Sequence, residues 1–484
     1  MDADPRRAAD EARRTAMALR EREAEEYVEG VCFKTGPPGR VGVELEWLVY
    51  DSADHRAAPA AARVRKVLES LPELPARSRL TREPGGQVEL STLPASDLLS
   101  AVAATAADLA VLRAAFDDAG LRLTGYGLDP WRTGVPRVLD HPRYRAMEAY
   151  LDRIGPWGRM MMRDTASVQI NLDAGDTGDG PAGYRARWRL VHRLGPVLIA
   201  AFANSPLRAG RPTGLRSTRQ EVWARLDPCR TRPAPARGRP PDGDPRSAWA
   251  GYALDARLLC LRRGEPGQDG AQDGGGAGDG GAGGDVGVRR DGRSGAPAPG
   301  PADWDPPPGL TFRGWVREGH AAAGRGPLLE DLDYHLTTLF PPIRPRGWLE
   351  LRMIDAQRGE DWAVAAALAA VLLDDPRAAE AAHTATEPLC PPGRETPEPA
   401  AWARAARLGP SDPELGKAVR ACFAAADDAL GRIPGAAELR RRAADFAARY
   451  AERGRCPADD LLDAARTGAM PGATSFPFPE GHRP

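Results

Sequence analysis

The chain has 484 residues, 42% of them hydrophobic and 27% charged, which is ample material for a large folded core. Its 66 Lys and Arg stand against 67 Asp and Glu, and the net charge of −1 gives no footprint for nucleic acid or an anionic membrane. Lys34, Lys66 and Lys417 are the only lysines; Lys34-Thr35 follows Phe33, so a Gly-Lys-Ser/Thr phosphate loop is excluded.

In chain order, the Ala-, Arg- and Glu-rich stretch from Pro5 to Glu29 predicts a helix without the apolar run of a signal peptide. Alternation then predicts four strands. From Arg40 to Tyr50, Val41, Val43, Leu45, Trp47 and Val49 share one face, while Glu44 and Glu46 share the other, about 7 Å apart by strand rise. From Glu83 to Ser91, Val88 and Leu90 oppose Gln87, Glu89 and Ser91. A helix follows from Asp97 to Asp118, with apolar residues at three- and four-residue steps and Gly120 as its stop. From Ala166 to Asp173, Val168, Ile170 and Leu172 oppose Gln169, Asn171 and Asp173. Met160, Met161 and Met162 lead into that strand. Another helix runs from Tyr184 to Ala203. Residues 264–303, almost only Gly, Asp, Ala, Pro and Arg, predict a disordered insertion. From Trp348 to Ile354, Leu349, Leu351 and Met353 oppose Glu350 and Arg352. Helices close the chain at Glu360–Leu373, Asp412–Ile433 and Ala436–Tyr450, before a loose tail from 471 to 484. The longest apolar run, Trp362 to Leu373, is far short of a membrane span, and the six cysteines form no C-x-x-C, so a soluble cytoplasmic protein is expected.

Any one such strand reads as a half-exposed antiparallel strand. Four together carry carboxylates and amides, with one arginine, on their polar faces. If Glu44, Glu46, Glu89 and Glu350 converge, they repel one another and call for a counter-charge. Oxygen-only ligands suit Mg²⁺ or Mn²⁺ rather than zinc, and Mg²⁺ held this way usually completes its shell with water and substrate phosphates, which implies an ATP site.

At these strands the sequence resembles glutamate–cysteine ligase of the plant and bacterial type, in the actinobacterial branch that feeds ergothioneine synthesis. The matching blocks are Val43-Glu-Leu-Glu46, Glu83-Pro-Gly-Gly-Gln-Val-Glu-Leu-Ser91, Met161 to Asp173, Ser217-Thr-Arg-Gln-Glu-Val-Trp223 with Asp227 and Arg230, Gly251 to Asp255, His335 to Pro341 and Leu349-Glu-Leu-Arg352. The resemblance implies an α+β fold related to glutamine synthetase, an antiparallel sheet curled into a funnel with helices outside, and a single catalytic domain over residues 1–470. It implies metal ligation by Glu44, Glu46, Glu89 and Glu350, with Gln169 near a metal. It places Arg352 on the transferring phosphate or the glutamate γ-carboxyl, and Gln87, Asn171, Arg219 and Trp223 on substrate. The implied substrates are ATP, L-glutamate and L-cysteine, used by a monomer or homodimer without nucleic acid or membrane. Cys229-Arg230-Thr231-Arg232 departs from the family's Asp-Arg-Thr-Gly, which puts that loop in question. His192, His335 and Cys229 read as packing residues. Another carboxylate–amine ligase on the same scaffold, or a non-catalytic paralogue, are the competing readings.

Overall fold

The structure, a computed structural model, describes residues 18–235, 243–262 and 304–467. The glycine-rich insertion, the C-terminal tail and the first part of the N-terminal helix lie outside these residues.

Seven strands form one sheet: β1 Val41–Asp51, β2 Arg79–Arg82, β3 Val88–Ser91, β4 Leu121–Thr124, β5 Ser167–Asp173, β6 Ile343–Pro345 and β7 Trp348–Asp355. Their order is β2-β3-β1-β5-β7-β6, with β4 also paired to β1, and every pairing is antiparallel. The strand expected from Glu83 begins only at Val88. Residues 83–87 are instead the turn between β2 and β3, closed by Glu83 N–H to Gln87 O (2.9 Å) and Gly86 N–H to Glu83 O (2.8 Å). Pro84 followed by two glycines favours a turn over a ladder, and Gly86 sits at φ +89°.

The helices that matter here are α1 Glu21–Cys32, α2 Leu98–Asp118, α3 Pro142–Asp152, α4 Trp157–Asp164, α5 Tyr184–Phe202, α6 Thr218–Ala224, α7 Asp361–Asp374, α8 Pro376–Thr386, α9 Pro413–Arg432 and α10 Ala437–Arg449. Aspartates start three of these helices by capping them: Asp97 accepts from Ser100 N–H, Asp375 from Arg377 and Ala378 N–H, and Asp412 from Glu414 and Leu415 N–H. The methionine run lies in α4, which leads into β5 as expected. Its alternating exposure, with Met160 and Met162 buried and Met161 half-buried, is a helix entering a core at an angle.

One face of the sheet is apolar. Val43, Leu45, Val88, Leu90, Val168, Ile170, Leu172, Leu349 and Leu351 are all buried there, each contributing about 1.5–3 kcal/mol of transfer energy. Helix α7 lies against this face and is buried on every side from Trp362 to Leu373, with α8, α9 and α10 packed over it. Among the described residues α2 is the one helix long and apolar enough to cross a membrane. Its stripe of Leu98, Ala101, Leu109, Leu112 and Phe116 is buried in the protein core instead. With one face so buried, a one-residue slip of β1, β3 or β7 would put a carboxylate into the core; the apolar packing therefore fixes which side chains the other face presents.

Candidate active site

Strand register brings the polar side chains together. Glu46 lies opposite Glu89, Glu44 opposite Gln169, and Asn171 opposite Glu350. Between β5 and β7 the register shifts: Val168 pairs with Ile354 but Ile170 with Leu351, so Arg352 and Met353 both face Gln169. The two carbonyls of this bulge bind α6. Arg219 Nη2 donates to Arg352 O (2.9 Å) and Gln220 Nε2 to Met353 O (2.8 Å). The bulge thus seats α6 on the sheet and carries Arg219 and Trp223 to its polar face.

There they border a cleft of about 190 Å³. Its acidic side is Glu44, Glu46, Glu83 and Glu89. It is lined as well by Arg143, Arg219, Arg344, Arg346 and Arg352. Gln87 and Gln169 also line it.

The carboxylates are held by neutral donors. Glu44 accepts from Asn171 Nδ2 (2.8 Å), Glu46 from Ser167 N–H (2.8 Å) and Gln169 Nε2 (2.9 Å), and Glu89 from Thr81 Oγ1 (2.8 Å) and Ser91 Oγ (3.1 Å). Burial, and then Glu83, Glu44 and Glu46, push the Glu89 carboxyl well above the usual range. Burial and Glu46 push Glu83 up to about 7. Burial and Glu350 likewise raise Glu44.

Glu350 stands apart. It does not line the cleft, and both its oxygens are taken: Arg344 donates at 2.5 and 3.0 Å, and Arg352 Nη1 at 3.0 Å. Burial alone would raise its carboxyl; Arg344, Arg352 and Arg346 outweigh that and hold it down at about 2. Arg352 Nη1 also donates to Gln169 Oε1 (2.5 Å), while its buried Nε has no hydrogen-bond partner. Arg219, 2% exposed, lies 4.5 Å over the Trp223 ring, and its Nε and Nη1 have no hydrogen-bond partner either; Asp355 is 3.8 Å from Nη1. Gln87 donates to Thr165 O (2.8 Å) and leaves Oε1 unpartnered. Asn171 lies outside the cleft, with its amide on Glu44 and its carbonyl accepting from Trp348 Nε1 (3.1 Å).

The cleft can therefore attract two charge types at once. Four carboxylates, Glu89 buried and Glu44, Glu46 and Glu83 half-buried, gathered on one cleft fit a hard divalent cation in donor chemistry. Among the described residues, though, no three acidic, histidine or cysteine side chains are already gathered around one point. Two guanidiniums with unspent buried N–H groups fit the oxygens of a carboxylate or phosphate.

Residues 40–475 match the family described as glutamate–cysteine ligase family 2. The chain belongs to this family. The chain is 39% identical over 458 residues to the glutamate–cysteine ligase EgtA of Mycobacterium tuberculosis, covering 93% of this chain and 92% of that one. It is 39% identical over 434 residues to EgtA of Mycolicibacterium smegmatis (89% and 88%), and 28% identical over 305 residues to the chloroplastic glutamate–cysteine ligase of Arabidopsis thaliana (62% and 50%). Among solved structures, a glutamate–cysteine ligase from Francisella tularensis in complex with AMP aligns with a TM-score of 0.43 at 13% identity, over 92% of this chain and 91% of that one.

For this member of the ligase family, Glu83, Arg143, Arg344 and Arg346 are cleft residues that alternation alone did not single out. Glu83 keeps the parity of Gln87 and Glu89, but the turn hides it. Arg344 and Arg346 keep the parity of Glu350 and Arg352 across the β6–β7 hairpin, which is a readable signal. His335 and His192 are buried, bonded to Ala253 O and Trp188 O at 2.8 Å, and away from the cleft. Cys229 donates to Asp227 (3.0 Å), and burial raises its thiol, so it is held as a neutral packing group.

Proposed function

We propose that this chain uses ATP to activate the γ-carboxylate of L-glutamate and joins it to the amine of L-cysteine, giving γ-glutamylcysteine for ergothioneine synthesis. The observation that carries this reading is the pairing of two guanidiniums having unspent buried N–H groups, Arg352 and Arg219, with a cluster of four carboxylates. The sheet is then the wall of a funnel of the glutamine-synthetase kind, in a single catalytic domain of a soluble cytoplasmic enzyme acting as a monomer or homodimer.

Glu44, Glu46 and Glu89, joined by Glu83 and with Gln169 beside them, would hold Mg²⁺ or Mn²⁺. Such ions neutralise phosphate oxygens and make the phosphorus open to an anionic attacker. Arg352 is aimed at the transferring phosphoryl group, where charge spreads over the equatorial oxygens. Glu350, with Arg344, holds Arg352 in place. Arg219, backed by Trp223, binds a carboxylate of glutamate, and Gln87 offers its open Oε1 to a substrate N–H. Asn171 serves by orienting Glu44.

The γ-carboxylate oxygen attacks the terminal phosphorus and ADP leaves. The acceptor amine then attacks the acyl carbon, the C–O bond to phosphate breaks, and phosphate and a proton are released. No protein nucleophile is required. ADP release by the purified chain with glutamate, with and without cysteine and against a panel of other amines, tests this. Dependence on glutamate with a preference for another amine would move the chain to a different carboxylate–amine ligase; no dependence on glutamate would remove the reading.

A further inference from the structure

Helix α6 rests on an acid that does not line the cleft. Past the β5–β7 bulge the alternation of β7 reverses: Ile354 lies opposite Val168 and Asp355 opposite Ser167. Asp355 therefore comes to the polar side of the sheet although it keeps the odd parity of Leu349 and Leu351. It is 2% exposed. Its oxygens accept from Asn204 N–H (2.8 Å), Ser205 Oγ (2.7 Å) and Ser217 Oγ (2.9 Å). Both serines also hold α6: Ser217 caps it, and Ser205 Oγ accepts from Arg219 N–H (3.1 Å). The Arg219 guanidinium comes close without bonding. Its Nη1 stands 3.8 Å from Asp355 Oδ1, and neither Nη1 nor Nε has a hydrogen-bond partner. Asp355 has little room to move, since even a Cβ on Gly127 would stand 2.4 Å from its Cγ.

A buried guanidinium calls for an anion nearby. Burial pulls the Arg219 guanidinium below its ordinary range, and Asp355 is the first charge to oppose this, ahead of Glu46. The common solution is a bidentate pair, which would occupy the N–H groups of the fork. Here two hydroxyls and a backbone N–H satisfy the carboxylate, and the charges balance through space. We propose that Asp355 is a positioning residue that supplies the counter-charge of Arg219, leaves its Nε and Nη1 free for a carboxylate of glutamate, and so sets how tightly glutamate is held. This rests on the ligase reading above, in which Arg219 binds that carboxylate. Two anions then share one guanidinium, and each weakens its hold on the other. Asp355 balances Arg219 in the empty cleft and moderates its grip in the filled one. The sign of the effect separates this role from scaffolding. Removing a counter-charge tightens glutamate binding; removing a mere support for α6 loosens it.

The test uses the full chain, with ADP release measured against glutamate. Asp355→Asn keeps the size and can keep all three contacts, its oxygen accepting from Asn204 and Ser205 and its amide donating to Ser217 Oγ. It removes only the charge. KM for glutamate should fall about tenfold, with kcat within about threefold of wild type. Added chloride should raise that KM more steeply in the variant, because an unbalanced cation attracts free anions too. Ser217→Ala keeps the charge but loses one contact and the cap of α6. It should lower the urea midpoint and should not lower KM. If Asp355→Asn does not fold alone, glutamate added during refolding should recover it by supplying the missing anion. A folded Asp355→Asn with an unchanged or higher KM for glutamate, or an unfolded one that glutamate fails to recover, overturns the counter-charge role and leaves the ligase reading intact. Wild type without glutamate-dependent ADP release overturns that reading and this inference with it.

Discussion

Glu350 and Arg352 lie two residues apart on β7, and the carboxylate of one accepts from the guanidinium of the other at 3.0 Å while Arg344 grips its remaining lone pairs. Glu350 is thus a fully buried anion inside a cage of arginines, unlike the four carboxylates of the cleft. The two kinds of site should respond oppositely to the same substitution. Glu350→Gln leaves Arg344 buried without its counter-charge and should lower stability by about 3 kcal/mol, the scale for breaking a buried pair. Chemical denaturation of the two proteins side by side measures this. A midpoint for Glu350→Gln equal to wild type would show that the cage is dispensable.

Glu89→Gln should do the reverse. Its carboxyl is raised by burial and by Glu83, Glu44 and Glu46, so the folded state holds the ionised form only at a cost. The amide removes that cost and should raise the melting temperature in EDTA. Adding Mg²⁺ should stabilise wild type, by about 2.7 kcal/mol at a hundred times its Kd, and stabilise Glu89→Gln far less. Turnover of the variant should fall by a factor on the order of 100 or more if Glu89 serves the cation as proposed. Equal Mg²⁺ shifts in both proteins would take Glu89 out of the cation site.

These contrasts mark what the sequence could show. Period-two alternation placed Glu44, Glu46, Glu89 and Gln169 on one face because apolar burial on the opposite face leaves no other register. Asp97 and Asp412 announced their helices because a cap is a local interaction. The turn at residues 83–87 reads as strand in the sequence because Glu83, Gln87 and Glu89 keep strand parity through it; only the backbone reveals that the chain reverses. The β5–β7 bulge, and with it the docking of α6, depends on two strands far apart in the chain and leaves no mark in either. Glu350 reads like the other glutamates by alternation, and its different state comes from Arg344, its cross-strand neighbour on β6.

The turn itself invites a steric test. A Cβ on Gly85 would stand 2.1 Å from Arg163 O and 2.5 Å from Arg163 Cα, both backbone atoms that cannot swing away. Gly85→Ala must push the turn off α4, and Glu83 and Gln87 move with it. Overpacking of this kind costs about 1–3 kcal/mol. Activity should fall further than stability, since both displaced residues line the cleft. Gly134→Ala, at a turn with open space around its Cβ but φ +68°, is the control for backbone strain alone. Comparable turnover in the two variants would argue against a role for the turn in holding the cleft.

Two buried histidines set a limit on acid stability. Burial pushes His192 down to about 4 and His335 down to about 3, despite each ring bonding a backbone carbonyl. In the unfolded chain each titrates near 6.5. Because the folded values are depressed, the unfolded state binds more protons below about pH 6.5, and stability falls as pH drops from there towards 4. Each group contributes about 1.4 kcal/mol per pH unit in that window. His192→Leu removes one of the two, and the urea midpoint should then decline with pH at a visibly shallower slope between pH 6 and 4. An unchanged slope would mean that His192 is accessible to protons in the folded protein.

The remaining prediction distinguishes a guanidinium that works on substrate from one that only completes the cage around Glu350. Arg352→Lys keeps the charge and can still pair with Glu350, so a purely structural role predicts little loss. The geometry predicts more. Arg352 spends one terminal nitrogen on both Gln169 and Glu350 and keeps its Nε N–H without a partner, at a cleft edge shared with Glu44, Glu46 and Glu89. A planar fork can hold the protein with one limb and present the other to two phosphoryl oxygens at once; an ammonium offers a point charge and must choose. The interaction grows as charge spreads over the departing phosphoryl group, so its loss falls on kcat, by a factor on the order of 100 or more, with a smaller rise in KM for ATP. The melting temperature should change little, because Arg344 still neutralises Glu350. Wild-type kcat in Arg352→Lys, or a kcat loss matched by a collapse in stability, would assign Arg352 to the cage alone.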